Sequence, residues 1–194
     1  MHQTIIQLDP GVWSAKRLLD YPYRIHYMLE DINLSRQRVL WRLSKERLLL
    51  RHKQPLNWMR LDTIHPDLGT RTHSKMQDLQ TIGSILTFNI LAYIRKRPTA
   101  GQWIIQQPAQ YLEWLERQAE SGGFQVLNVL PTQAPTYFVR TSSMSIHLRP
   151  VELMGDLKIS DSNKFEQILE YGVGRMRAFG CGLMLLKQSR YIRG

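Results

Sequence analysis

Cysteine is almost absent from this sequence of 194 residues, in which Cys181 is the only one. A single cysteine cannot form an internal disulfide, and it cannot supply a cysteine-rich zinc site. Metal-ligand patterns such as HExxH, CxxC or two histidines one residue apart are missing as well. We therefore expect neither a metal site nor a bound cofactor.

Long apolar stretches are also missing. No segment approaches the roughly 18 consecutive apolar residues that a transmembrane helix requires. The N-terminal stretch MHQTIIQLDP has no basic segment followed by an apolar run, so it lacks the pattern of a signal peptide. These absences predict a soluble, cytoplasmic protein of a reducing compartment, without a membrane partner.

Acidic residues are few compared with basic ones, 16 Asp and Glu against 26 Lys and Arg. The net charge of +10 indicates an anionic partner, most often a nucleic acid. A solvated basic surface without such a partner is the alternative. A hydrophobic content of 43% is enough for a folded core, so the charge belongs to a globular protein.

Short apolar strands alternate with single helices in the first half of the chain. The pattern predicts a strand at residues 4–8, a helix that Asp20 caps, a hairpin formed by residues 36–44 and 47–53, and a strand at 84–97. Residues 56–80 have a mixed pattern. The apolar stripe of the helix consists of Ile25, Met28, Leu29 and Ile32.

The second half repeats this order. It predicts a helix over residues 109–120, strands at 124–130, 136–141, 144–153 and 156–160, a helix at 162–171 capped by Asp161, and a strand at 183–187. Two β-α-β-β-α-β-like series predict an α+β protein of tandem ferredoxin-like (RRM-like) domains with antiparallel sheets, a fold common among RNA-binding proteins. The predicted domains span residues 1–98 and 99–194.

Four glycines and two arginines are concentrated in GVGRMRAFGCGL, residues 172–183. A dinucleotide-binding GxG needs a strand before it and a helix after it, whereas here a helix precedes and a strand follows. Cys181 has no positioned base and is interpreted as a small buried residue. Two interpretations of the glycines stay open. They permit positive φ angles and close packing, or their N–H groups bind a phosphodiester together with Arg175 and Arg177.

A histidine on the first predicted helix is the candidate for proton transfer. At about 100° per residue, Tyr23, His26 and Glu30 fall on the side opposite the apolar stripe, with Tyr27 adjacent. The i, i+3 spacing lets Tyr23 and His26 approach one substrate group together. Imidazole exchanges protons near neutral pH and suits general acid or base catalysis. An exposed histidine without a function is the alternative.

Taken together, the N-terminal strand, the Tyr-x-x-His helix start, the PAQYLEWLERQAE helix and the closing GVGRMRAFGCGLMLL resemble the CasE-type CRISPR RNA endoribonucleases of Type I-E systems, a branch of the repeat-cleaving RAMP superfamily. The resemblance extends over nearly the whole chain, and its last segment is the most specific. It implies a prokaryotic enzyme that cleaves precursor CRISPR RNA at a repeat hairpin without metal. The substrate's own 2′-hydroxyl attacks, leaving a 2′,3′-cyclic phosphate and a 5′-hydroxyl. The guide RNA product stays bound, within a Cascade-type effector complex.

The same resemblance implies that His26 is the general acid or base and that Tyr23 orients the 2′-hydroxyl or shares the proton transfer. Many relatives have a basic residue directly after the histidine, where this chain has Tyr27, and Arg24 is the candidate substitute. Arg177 is expected to hold the RNA backbone. The other predicted RNA contacts lie on second-half strands that could follow the phosphates of an A-form stem, and in the glycine loop: Arg140, Arg149, Lys158, Gly172, Gly174, Arg175, Gly180 and Gly182.

Two alternatives belong to other functional classes. The first is a non-catalytic RNA-binding module or scaffold on the same fold, which shares the charge and differs only in whether His26 takes part in chemistry. The second is a basic structural protein of a ribonucleoprotein unrelated to CRISPR. Neither requires a small-molecule cofactor.

Overall fold

The computed structural model describes residues 1–76, 81–96, 104–105, 109–140 and 145–189. By its contacts the chain divides into two compact units. The first comprises Met1–Gln77 and Met176–Gly180, and the second comprises Asp78–Arg175 and Cys181–Gly194. The boundary predicted between residues 98 and 99 lies outside the described residues. None of the described helices is long and apolar enough to cross a membrane.

The first unit has the order β-α-α-β-β-α-β. Its sheet has the order β2-β3-β1-β4 with every neighbouring pair antiparallel, which is the ferredoxin-like arrangement. The elements are β1 (His2–Leu8), α1 (Trp13–Asp20), α2 (Arg24–Ile32), β2 (Leu40–Ser44), β3 (Arg47–His52), α3 (Trp58–Ile64) and β4 (Gly69–Lys75).

The core of this unit lies between one sheet face and the helices. Ile6 and Leu8 of β1 and Leu48 and Leu50 of β3 are each at most 1% exposed, because alternate strand residues point to the same face. The predicted helical stripe covers that face and is confirmed by the burial of all four of its residues: Ile25, Met28, Leu29 and Ile32.

The start of α2 differs from the prediction. Asp20 does not cap a helix but is the last residue of α1, an element that the sequence pattern did not predict. Pro22 has no N–H to donate and disfavours a helical conformation in the residue before it, so the chain turns at this point. The carbonyl of Pro22 accepts a hydrogen bond from the N–H of Ile25, and α2 begins at Arg24 with Tyr23 as its N-cap.

The mixed segment of residues 56–80 contains α3 and β4. The side chain of Asn57 caps α3 by accepting a hydrogen bond from the N–H of Arg60 at 3.0 Å. β4 has the sequence GTRTHSK and contains no buried residue. An edge strand without apolar alternation leaves no periodic signal in the sequence, which is why the pattern did not reveal it.

The second unit also contains a four-stranded antiparallel sheet, of order β12-β5-β11-β8, with α4 and α5 as its helices. Two short hairpins, β6–β7 and β9–β10, are separate from it. The elements are β5 (Ile85–Ala92), β6 (Arg95–Lys96), β7 (Ile104–Ile105), α4 (Ala109–Gly122), β8 (Phe124–Gln133), β9 (Tyr137–Arg140), β10 (Ser145–Leu148), β11 (Val151–Ile159), α5 (Ser162–Tyr171) and β12 (Met184–Gln188). The protein is therefore α+β with tandem ferredoxin-like domains, which confirms the predicted fold class.

β5 belongs to a different sheet from the one that the predicted domain boundary implies. Its residues were assigned to the first domain, but β5 lies between β11 and β12 in the second sheet. Alternation of buried residues shows that a segment is a strand without showing which strand it pairs with.

The interruption predicted within β11 is also absent. This strand continues through Gly155, where an added Cβ would lie 2.0 Å from the carbonyl oxygen of Asn128 on β8. Glycine at this position lets the two strands approach each other inside the sheet. The predicted Asp161 cap is confirmed, since its carboxylate accepts from the N–H groups of Asn163 and Lys164.

Candidate active site

The exposed face of α2 carries the candidate catalytic histidine. His26 Nε2 lies 3.2 Å from Glu30 Oε1, one helical turn away, and its ring lies 5.7 Å from that of Tyr27. The side chain of His26 is 37% exposed. Because a carboxylate only accepts hydrogen bonds, Nε2 carries the hydrogen in this contact, and Nδ1 is the nitrogen left to exchange a proton with a substrate.

Tyrosines border this histidine at the N-terminus of α2. The rings of Tyr23 and Tyr27 meet edge to face at 6.3 Å, and those of Tyr21 and Tyr23 at 6.4 Å. The guanidinium of Arg24 lies 5.8 Å from the ring of Tyr21 and 6.0 Å from that of Tyr23. Tyr27 therefore contacts both Tyr23 and His26, while Arg24 lies beside Tyr21 and Tyr23; a shared catalytic role of these residues remains a prediction.

The glycine loop is shaped by positive φ angles, at Gly172 (79°), Gly174 (73°), Gly180 (81°) and Gly182 (85°). Three of the N–H groups donate within the protein: that of Gly172 to Ile168, that of Gly180 to Arg177 and that of Gly182 to Leu91. For these three glycines the hydrogen bonds favour the packing interpretation. A phosphate contact by the loop remains a prediction.

The middle of the loop belongs to the first unit. Residues Met176–Gly180 contain a short 3-10 helix, Arg177–Phe179, that contacts β2. Gly180 lies against the indole of the buried Trp41, where an added Cβ would be 2.7 Å from the ring. Met176 has a φ of 60°, a left-handed conformation that is costly for a residue with a side chain. The packing on Trp41 holds the segment in place.

Arg38 is a functional candidate that the sequence analysis missed. Partial burial lowers the pKa of the Arg177 guanidinium, and the nearby positive charge of Arg38 lowers it further. Two guanidinium groups close enough to repel each other form a site where an anion is favoured. No local motif connects the two residues, since Arg38 lies just before β2 and Arg177 near the C-terminus, so only the fold could show their proximity.

The comparisons with known proteins agree with this fold. A family model described as CRISPR associated protein matches residues 1–188. The chain belongs to this CRISPR-associated family. It is 27% identical to the CRISPR-associated endoribonuclease Cse3 of Thermus thermophilus, over 95% of this chain and 98% of that protein. The resemblance inferred from the sequence is thereby confirmed.

Solved structures of the CRISPR-associated proteins show the same architecture. A structure of the endoribonuclease Cse3 bound to a 19-nucleotide RNA matches with a TM-score of 0.84 and 27% identity, over 96% of this chain and 100% of that one. A chain in a CRISPR RNA-guided surveillance complex matches with a TM-score of 0.71 and 19% identity, over 97% and 100% of the two chains. At that identity the second match shows the fold alone.

The remaining predicted RNA contacts of this CRISPR-associated protein are dispersed over the second unit. Arg149 precedes β11 and Lys158 is its next-to-last residue, so the length of the strand, about 3.3 Å per residue, separates them. Both are exposed, as is Arg175. Arg140 is the last residue of β9, and its side chain lies outside the described part of the chain. Cys181 is 1% exposed, as a packing residue should be.

Proposed function

We propose that this protein is an endoribonuclease that cleaves precursor CRISPR RNA at the base of the repeat hairpin, without a metal ion. The observation that carries the proposal is the exposed pair of His26 and Glu30, with Tyr23 and Tyr27 beside it, on a chain that belongs to the CRISPR-associated family. The endoribonuclease name of the Thermus thermophilus relative supports the class of reaction.

The reaction is a transesterification within the RNA. The 2′-hydroxyl gives its proton to a general base as its oxygen bonds to the adjacent phosphorus. The bond from phosphorus to the 5′-oxygen then breaks, and a general acid protonates the leaving oxygen. The products are a 2′,3′-cyclic phosphate and a 5′-hydroxyl. His26 performs one of the two proton transfers through Nδ1, and Tyr23 orients the 2′-hydroxyl or shares the transfer.

Negative charge accumulates on the phosphate oxygens in the transition state. Arg177 and Arg38, which lie near each other in the first unit, supply positive charge for those oxygens. Partial burial of Arg177 strengthens this interaction, because charges attract more strongly where water is partly excluded. Arg24 adds a third positive charge beside Tyr23.

The proposal includes retention of the guide RNA and its delivery to a Cascade-type effector complex. The net charge of +10 supports retention, and the fold shared with a chain of an RNA-guided surveillance complex supports assembly. Co-purification of processed guide RNA and effector subunits with the protein, expressed beside its repeat array, tests this part. Recovery of the protein alone contradicts it.

Incubation of the cognate repeat RNA with the protein in EDTA tests the cleavage. We expect one cut, a 5′-hydroxyl and a 2′,3′-cyclic phosphate, and loss of cleavage with retained binding in His26→Ala. His65→Ala is the matched control, because His65 is the C-cap of α3 and lies near Asp31 and Arg17 rather than beside the His26–Glu30 pair, so cleavage should stay intact. A 5′-phosphate product, a requirement for added metal, or undiminished cleavage by His26→Ala would each overturn the mechanism. Binding without cleavage by the unaltered protein would favour the non-catalytic alternative.

A further inference from the structure

A cleft of about 510 Å³ opens in the second unit where the β9–β10 hairpin leaves the sheet. Its floor is apolar and is formed by Ala134, Pro150 and Val151, all of which are buried. Val151, the first residue of β11, pairs with Gln133, the last residue of β8, and both residues line the cleft. The volume lies within the range of small-ligand sites.

The rim of the cleft carries an aromatic, a cationic and two further hydrogen-bonding side chains. Tyr111, in the first turn of α4, supplies an aromatic ring, and Arg149 supplies an exposed guanidinium. Gln133 supplies an amide and His147 an imidazole, both able to hydrogen-bond to the edge of a heterocyclic base. Among the described residues that line the cleft, none is acidic.

This combination matches the parts of one nucleotide. A nucleobase stacks on an aromatic ring, its edge is recognised by amide and imidazole groups, and its phosphate pairs with a guanidinium. Base-paired nucleotides of an A-form stem do not expose a base face, so only an unpaired nucleotide can enter such a cleft. Arg149 then contacts a single-stranded phosphate rather than the stem that the sequence analysis assigned to it.

We propose that this cleft binds one unpaired nucleotide of the RNA that flanks the repeat hairpin. The inference rests on the proposed function, because it takes the repeat RNA as the ligand. It adds a recognition site within the second unit, whereas His26 belongs to the first, and it makes affinity depend on sequence outside the stem.

Two RNAs measure this contribution. One is the bare hairpin and the other keeps the single-stranded nucleotides on both sides, each with 2′-deoxyribose at the cleaved position so that it binds without being cut. We expect the flanked RNA to bind about tenfold more tightly, the effect of one stacked base. Tyr111→Leu should remove the difference while leaving binding of the bare hairpin unchanged, and Arg149→Gln should reduce the difference between the two RNAs.

Matched controls exist on the same unit. Arg117→Gln removes an exposed arginine that pairs with Glu113 on α4, and Tyr171→Leu removes a half-exposed tyrosine at the end of α5. Both should keep the difference between the two RNAs. Unchanged binding of the bare hairpin by each variant shows that the variant is folded.

Substitution of 2-aminopurine along the flanking nucleotides locates the bound base, since stacking quenches its fluorescence. Quenching at one position, lost in Tyr111→Leu, is the expected result. Equal affinity for the two RNAs, or equal weakening of both by the variants, overturns the proposal. If free 2-aminopurine riboside monophosphate is quenched and the flanked RNA is not, the cleft binds a free nucleotide and the proposal that it binds the RNA is overturned. If the full repeat is still cleaved in those cases, the proposed activity stands without the cleft.

Discussion

The hydroxyl of Thr4 on β1 lies 3.0 Å from His52 Nε2 on β3 and 2.9 Å from His73 Nδ1 on β4, so that one buried oxygen joins histidines of the two strands that flank β1. His52 Nδ1 lies 2.8 Å from the carbonyl oxygen of Gln54 and must donate to it, because a carbonyl only accepts. In the neutral ring, Nε2 therefore accepts the Thr4 hydroxyl hydrogen, and the Thr4 oxygen accepts from His73. A charged His52 would have to donate at both nitrogens, which reverses this order.

Stability of the first unit should fall in mild acid for this reason. Burial lowers the pKa of His52 below 6.5; the hydrogen bond to the Gln54 carbonyl opposes this shift, whereas the neighbouring His2, His73 and N-terminal amine add to it. The unfolded chain then binds protons more readily than the folded one, so the stabilisation is complete above pH 6.5 and is lost as the pH falls below that value. We expect the Tm to decrease as the pH is lowered from 7.5 to 5.5, and we expect this decrease to be smaller in His52→Gln.

One control is needed for that measurement. Burial lowers the pKa of His65 as well, so His65 contributes in the same direction. The comparison of His52→Gln is therefore repeated in a His65→Gln background. An identical pH dependence of Tm with and without His52 would contradict the role given to the Thr4 hydrogen bonds.

Gly180 should tolerate no side chain. Its φ of 81° disfavours one, and an added Cβ would lie 2.7 Å from the Trp41 ring. Gly83 is the matched control, since its φ is 88° but no atom lies within 4 Å of an added Cβ. We expect Gly83→Ala to cost about 1 kcal/mol from backbone strain alone. Gly180→Ala should cost about 1–3 kcal/mol more because of overpacking. Denaturant unfolding measures both, and equal costs would contradict close packing on Trp41.

Glu30 should act as a positioning residue for His26. The side chains of both residues are exposed, so the free energy of their interaction is small, about 0.2–1 kcal/mol. We expect Glu30→Gln to lower kcat by about twofold to fivefold with KM unchanged. The shorter carboxylate of Glu30→Asp does not reach as far as that of glutamate. We therefore expect the kcat of Glu30→Asp to lie between those of the unaltered protein and Glu30→Gln. A change in KM alone would show that Glu30 contacts the RNA instead of orienting the imidazole.

Arg38 and Arg177 should both determine the salt dependence of RNA binding. Each phosphate contact that is lost reduces the slope of log K against log salt by about 0.7–0.9. We expect Arg38→Ala and Arg177→Ala each to weaken binding and to flatten the slope by that amount. Arg117→Ala, which removes an equally charged residue paired with Glu113, should not alter it. An unchanged slope in Arg38→Ala would show that Arg38 faces away from RNA.

Local patterns in the sequence were sufficient for the elements that carry the catalytic face. The spacing of Ile25, Met28, Leu29 and Ile32 alone predicts which side of α2 is buried, and this places His26 on the exposed side. The order of helix, glycine loop and strand likewise excluded a dinucleotide site. These inferences succeeded because helical periodicity, capping and turn formation depend on residues that are close neighbours in the chain.

Contacts between residues that are far apart in the sequence could be known only from the tertiary structure. The apolar alternation of β5 is the same whichever sheet it joins, and the polar β4 pairs with β1 through backbone groups that every residue possesses. The proximity of Arg38 to Arg177, the bridge from Thr4 to His52 and the cleft beside Arg149 all join segments far apart in sequence. The sequence by itself determined the buried stripe of α2 and, with it, the exposed position of His26. Only packing of the whole chain decided which charges and hydrogen-bonding groups meet.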